Sequence, residues 1–284
     1  MSGLESFVSS WSLFAESYIV GVLSAILLAL LGIWVVGRRQ IFLGAAIAQA
    51  SGGGVAIALA LQLALGLDAS GMQALVPLLA ALSGGLVGWI AAGGLRRQFD
   101  EGSVALIFLA GASGSVLLVA HHPEGLEIIH RLLFSTLLGA TWNDVILLGA
   151  VTFLAAALAV RFHEWFALLT LDPDASHLAG YDAQRWIWVL SMALGIAVGL
   201  AMQATGFLYT FGFLVLPVLA LRERCHEVRQ LVWMSPLLAM VVALPSFAIA
   251  YGLDLPPAQV AVAGLTGVVL LSWALPKDFL SYEP

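Results

Sequence analysis

The chain has 284 residues, of which 61% are hydrophobic and 10% charged, with a formal net charge of −6 and a mean hydropathy of +1.01. Ordinary soluble domains carry roughly one-quarter charged residues, so this composition excludes a soluble enzyme or a nucleic-acid-binding module and specifies an integral membrane protein. The net charge says little about partners, because charge in a membrane protein is informative by side and not by sum.

Apolar runs of about 20 residues, the length that crosses a hydrocarbon core of about 30 Å, recur from end to end. The expected fold is therefore all-α, a single polytopic transmembrane domain over 1–284 of about nine spans, near 17–37, 42–65, 72–94, 103–120, 143–161, 186–204, 206–221, 230–252 and 258–275. The opening "MSGLESFVSSWSLFAES" lacks a basic n-region and a small-residue cleavage site, and is read as unprocessed. Cys225 is alone, which leaves no disulfide framework and no cysteine-cluster metal site.

The first connection carries Arg38 and Arg39, and the second span then sets Gln49 and Ser51 inside an apolar run. Gly52, Gly53 and Gly54 follow, leaving room either for cargo or for a neighbouring helix, and helix packing is the expected use. In the fourth span, "GASGS" contains the G-x-S-G string of intramembrane serine proteases, with Ser113 as the imaginable nucleophile. That chemistry needs a base within hydrogen-bond reach. All six histidines fall in loops or at span ends, so Ser113 is expected to be a packing residue.

The next connection, "VAHHPEGLEIIHR", gathers His121, His122 and His130 beside Glu124 and Glu127. Imidazole and carboxylate suit zinc, so this loop is a loose candidate collector; a solvated loop that meets a partner protein is the alternative. The apolar stretch after it, "IIHRLLFSTLLGATW", is short and suits a re-entrant or interfacial helix, and Arg131 near its start is expected to pair with Glu124 or Glu127, or to contact a partner. Asn143 and Asp144 read as a helix cap opening the fifth span.

Between the fifth and sixth spans lies "LDPDASHLAGYDAQRW". Asp172 suits a cap, Pro173 the first helical position, Asp174 the positive helix end and Gly180 the stop, which predicts a helix of about two turns. The loop has no Lys/Arg face for anionic lipid, so it is expected to dock on a protein. Further on, Gly206, Gly212 and Pro217 predict two short or broken helices, a form tolerated where freed backbone lines a cavity or packs against protein. Gln203, Thr205 and Tyr209 lie around the first of these breaks, and Asp254 in "YGLDLPPAQ" is expected in a rigid turn.

With the first connection in the cytoplasm, Arg38, Arg39, Arg96, Arg97, Arg161, Arg185, Arg222, Arg224, Arg229 and Lys277 all fall on that side, and only Arg131 lies opposite. The positive-inside rule then puts the N-terminus outside and the C-terminus inside.

Four segments together resemble the membrane permease subunits of ABC importers for zinc, manganese or iron(II). "RRQIFLGAAIAQAS" is similar to a family segment R-R-x-x-x-x-G-D-x-x-A-H-A-S; "LTLDPDASHLAGY" to a coupling segment D-P-x-x-A-x-x-x-G; "ATGFLYTFGFLVLPVLALR" to G-x-L-L-x-x-x-L-L-x-x-P; and "YGLDLPPAQVAV" to S-Y-x-L-D-L-P-x-G. Order and spacing fit from Arg38 to Trp273. The departures are Ser176 for the coupling Ala, Tyr209 and Phe213 for two leucines, and Ala250 and Ala258 in the last motif.

The resemblance implies a homodimeric permease in a bacterial inner membrane, two cytoplasmic ATPase subunits, and an extracytoplasmic metal-binding protein that delivers cargo. It also implies that Asp172, Pro173, Asp174, Ala175 and Gly180 belong to a coupling helix seated on the ATPase. The family's pathway Asp and His fall on Ala45 and Gln49, four residues apart. Alanine cannot ligate, and an amide oxygen is a weak zinc ligand. Cargo must then be held by Gln49, Ser51, Gln203, Thr205, Tyr209 or backbone carbonyls, or else be a metal chelate or small organic solute. The chain has no G-x-x-x-x-G-K-[ST] phosphate loop, so it is expected to bind no cofactor and catalyse nothing, with ATP hydrolysed by a partner subunit.

Overall fold

The computed structural model describes residues 3–66, 69–94, 101–120, 127, 139–171 and 182–275. Among these are nine α-helices and no strand: α1 (Gly3–Gly37), α2 (Ile41–Leu65), α3 (Ala69–Trp89) continued by a π turn (Ile90–Gly94), α4 (Glu101–Val119), α5 (Trp142–Leu171), α6 (Ala183–Thr205), α7 (Phe207–Leu221), α8 (Val228–Leu253) and α9 (Pro257–Ala274). Eight are long and apolar enough to cross a membrane, and the ninth, α7, is a shorter apolar helix of 15 residues. The expected spans and the expected short element after Gly206 thus correspond one to one with helices. The stretch 128–138, expected as a re-entrant or interfacial helix, lies outside the described residues.

The helices gather into two compact units. One comprises residues 1–39, 137–171 and 212–284, which hold α1, α5, most of α7, α8 and α9. Here α1 packs along α8 and α5. Close approach is made by glycine: a Cβ on Gly32 would collide with the Leu214 carbonyl of α7, and one on Gly212 would stand 2.8 Å from Val262 Cγ2 of α9. Polar side chains then bond across the helices, Ser235 Oγ donating to the Ala29 carbonyl at 3.1 Å and Thr152 Oγ1 to the Leu23 carbonyl at 3.3 Å. At one end Tyr18 stacks on Phe247 with centroids 5.5 Å apart. At the other, Arg224 donates to Ser272 Oγ and to the Ser272 carbonyl, while Ser272 Oγ donates to the Ala220 carbonyl, so the last carbonyls of two helices receive donors they would otherwise lack.

Helix ends in this unit follow ordinary capping chemistry. The residue before α5 is Thr141, whose backbone N–H and Oγ1 both bond Asp144 Oδ2, at 2.9 and 2.8 Å. Asp144 therefore acts as expected at the helix start, with Thr141 and not Asn143 as its counterpart. Asp254 ends α8 in a left-handed conformation (φ 53°), the turn expected for it. After α1, the Arg38 guanidinium lies 5.1 Å over the Trp34 ring, and burial lowers its pKa without removing its charge.

The second unit comprises residues 40–136 and 172–211, which hold α2, α3, α4, α6 and the first residues of α7. Its core is α2, packed against α3, α4 and α6, and its tightest pair is α3 with α6. These two run antiparallel. A Cβ on Gly84 or Gly195 would overlap the other residue's carbonyl, and one on Gly88 would overlap that of Ser191. Lipid tails give helices no hydrophobic reason to associate, so van der Waals contact between nearly bare backbones supplies the attraction. Gly195→Val is therefore expected to destabilise the fold by about 1–3 kcal/mol through overpacking, whereas Gly53→Ala, where nothing lies within 4 Å, is expected to be neutral; thermal unfolding in detergent checks both.

Candidate functional site

Ala45 and Gln49 lie one turn apart on α2 and are 3% and 4% exposed, so neither faces lipid. The α4 backbone rests on α2 at this level: a Cβ on Gly111 would stand 2.9 Å from the Gln49 carbonyl carbon. Gln49 makes no side-chain hydrogen bond among the described residues, although a buried amide ordinarily finds one. Its neutral carbonyl oxygen and its N–H donors are thus available to something else.

Ser51 has a different environment. Its hydroxyl donates back to the Ile47 carbonyl at 2.9 Å, and it is fully buried. The positions where Gly84 and Gly199 would carry a Cβ lie only 2.5 and 2.9 Å from its oxygen. Ser51 is the point where α2 meets both α3 and α6. The glycines after it divide in the same way: Gly52 admits Met202 of α6, Gly54 lies against Leu79 and Ser83 of α3, and only Gly53 has open space beside it.

The break after α6 is where the sequence placed it. Gly206 has φ 78° and ψ 169°, a conformation that glycine adopts without strain. Its N–H still donates to the Met202 carbonyl at 2.8 Å, and its carbonyl accepts from Thr210 N–H at 3.1 Å, so the chain stops one helix and starts the next across one residue. Thr205 Oγ1 donates to the Ala201 carbonyl at 2.8 Å and lies 3.1 Å from Thr210 Oγ1. Since the one Thr205 hydroxyl proton is committed to Ala201, Thr210 is the donor of that pair. Thr210 was not among the residues singled out from the sequence: it is five positions from Thr205, a spacing that becomes a contact only because the helix breaks between them.

Tyr209 is fully buried, and Gln203, half-buried, makes no side-chain hydrogen bond among the described residues. The same unit holds a row of rings: Phe42 of α2, Phe108 of α4, and Phe207 and Phe211 of α7, with successive centroids 5.4, 6.2 and 5.9 Å apart. The pathway candidates Gln49, Ser51, Gln203, Thr205 and Tyr209 are all neutral amides and hydroxyls. Among the described residues no three His, Cys, Asp or Glu side chains come together as a metal cluster.

Ser113 is exposed and donates to the Leu109 carbonyl at 2.7 Å, as helical serines commonly do. No histidine bonds it among the described residues, and the nucleophile reading finds no base. His121, His122 and His130 lie outside the described residues, as do Asp172, Pro173, Asp174, Ala175 and Gly180.

A sequence profile described as the ABC 3 transport family matches residues 10–275. The chain belongs to that family. Among its relatives, one from Chlamydia trachomatis serovar D, named a probable metal transport system membrane protein, is 24% identical over 264 residues, covering 92% of this chain and 88% of that protein. The zinc transport system membrane protein TroC of Treponema pallidum is 26% identical over 263 residues, covering 89% and 86%. Among solved structures, one titled PsaBC from Streptococcus pneumoniae in complex with Fab superposes with a TM-score of 0.79, covering 98% of both chains at 16% identity. At that identity the superposition bears on the fold alone. It shows that the all-helical fold is shared with that chain.

Proposed function

We propose that this protein is the permease subunit of an ABC importer for a divalent metal ion. What carries the reading is the family match across 10–275, joined to relatives whose names refer to metal and zinc transport. In this reading the protein performs no chemistry. A cytoplasmic ATPase dimer supplies energy through the segment containing Asp172, Pro173, Asp174, Ala175 and Gly180, an extracytoplasmic binding protein delivers the ion, and two copies of the chain form the passage through the lipid bilayer. His121, His122 and His130 are weak collectors near the mouth.

The passage has an unusual donor set. With Ala45 and Gln49 in place of a carboxylate and an imidazole, the ion meets neutral oxygens: the Gln49 and Gln203 amides, the Thr205 hydroxyl and the Tyr209 phenol. Such ligands hold zinc weakly, which favours release over retention and leaves selectivity to the binding protein. Ser51, with its hydroxyl turned back to Ile47, contributes least.

Reconstitution with its ATPase and binding protein is expected to give ATP-dependent uptake of zinc, manganese or iron(II) when the three compete. ATP hydrolysis stimulated by the binding protein with no uptake of any ion overturns the divalent cargo. Ala45→Asp with Gln49→His is expected to raise metal affinity in the passage at least tenfold, measured by metal titration of the purified permease; unchanged affinity in a folded protein removes these positions from the pathway.

The proposed orientation has the N-terminus outside and the C-terminus in the cytoplasm, which puts Cys225 on the inner face. A membrane-impermeant maleimide is expected to label Cys225 in inside-out vesicles and not in right-side-out ones. Burial raises the thiol pKa, so the thiolate is scarcer at a given pH and labelling climbs with pH later than for a free thiol.

A further inference from the structure

The end of α3 is irregular in a way that the passage does not require. The helix passes into a π turn, and Gly93 takes φ 92° and ψ 22°. A turn of this kind displaces carbonyls from their usual helical partners. One of them, Ala92, accepts two side-chain donors from α6: Gln184 Nε2 at 2.9 Å and Trp188 Nε1 at 3.1 Å. The donors are four residues apart, one above the other on the same face of α6. Together they match the two lone pairs that a carbonyl oxygen offers.

Satisfying a loose carbonyl at a helix end would need only one donor. The position of this pair gives the second a purpose. From Ala92 the contact between α3 and α6 continues without interruption, through Gly88 with Ser191, Gly85 with Ile196, Gly84 with Gly195, and Ala80 with Gly199. Each of these contacts is close but non-directional, so the seam resists separation while offering little against sliding. The hydrogen bonds from α6 to Ala92 are directional. They sit in the first two turns of α6, whose N-cap is Asp182, its carboxylate accepting from Arg185 N–H and pairing with Arg185 Nε at 3.0 Å. At the other end of α6 lies the Gly206 break, beside Gln203, Thr205 and Tyr209.

We propose that Gln184 and Trp188 are positioning residues for transport: their shared bond to the Ala92 carbonyl locks the register of α3 on α6. Displacement of the chain before Asp182 then moves both helices as one body and reaches the Gly206 break undiminished. This rests on the importer reading for what drives the movement, but the lock itself is a property of the fold. Packed helices have discrete arrangements and do not deform continuously, so a pair that holds its register transmits a push, and a pair that slips absorbs it.

The test uses the permease assembled with its ATPase and binding protein in proteoliposomes. Gln184→Leu with Trp188→Phe removes both donors at nearly constant bulk, and Gln184→Lys with Trp188→Phe restores one. The first is expected to lower metal transported per ATP hydrolysed at least fivefold, and the second to recover it to within about twofold. Register is read separately as the spin-label distance between Leu86→Cys and Val189→Cys in a Cys225→Ser background. That distance is expected to be narrow and equal with and without nucleotide when the donors are present, and broadened when both are removed. A wild-type ratio and an unchanged narrow distance in the donor-free variant overturn the proposal. So does an equal loss of coupling in both variants accompanied by equal loss of thermal stability, since that marks a merely structural bond. A wild-type complex that hydrolyses ATP and moves no metal, while its label distances behave as expected, overturns the importer reading and leaves the register lock standing.

Discussion

The contact of α3 with α6 at Gly84 and Gly195 brings two backbones so close that neither residue has room for a methyl group. The arrangement around it follows from that approach. With the pair drawn together, Ser51 of α2 can reach the groove they form, Met202 can settle over Gly52, and α2 becomes the buried axis of its unit. Lipid does not drive helices together, so the depth of contact between them has to come from the absence of side chains. Among the described glycines, those facing another helix serve that purpose, Gly93 and Gly206 supply positive φ, and Gly53, Gly114 and Gly267 have nothing within 4 Å.

Buried hydroxyls follow a related rule. Within the hydrocarbon region no water is present to satisfy them, and several return their proton to their own helix one turn back: Ser51 to Ile47, Thr205 to Ala201 and Ser246 to Val242. Fewer reach another helix, as Ser235 and Thr152 do, and these few join elements distant in sequence. Sequence alone does not separate the two uses. Ser51 and Thr205 drew notice together as polar groups in apolar runs, yet Ser51 closes a packing junction while Thr205 accepts from Thr210 at a broken helix end.

Much of the fold was legible because its determinants are local. Apolar runs punctuated by arginine, glycine and proline located the nine described helices, and Gly206, followed by a short apolar run, announced the break. The expected end of the fifth span at 161 marked a real feature as well, since Phe162 departs from helical geometry (φ −122°, ψ 21°) although the helix continues to Leu171. The pathway candidates were legible as a list and not as an arrangement. The absence of side-chain hydrogen bonds at buried Gln49 and half-buried Gln203 among the described residues, the donation from Thr210, and the paired hydrogen bonds of Gln184 and Trp188 to Ala92 all depend on which helices meet and in what register, and no periodicity within one helix encodes that. The π turn at Ile90–Gly94 was equally hidden, since "IAAGG" reads as an ordinary helix end.

At 15 residues, α7 rises about 22 Å, while lipid hydrocarbon is about 30 Å thick. A helix this short falls roughly 8 Å below that thickness, and a helix end lying within hydrocarbon requires protein or a water-filled recess around it. The cost of moving a charge across a membrane depends on the thickness of low-dielectric material it must traverse. A helix of 15 residues spans less of that material than its longer neighbours do, whatever side chains it carries.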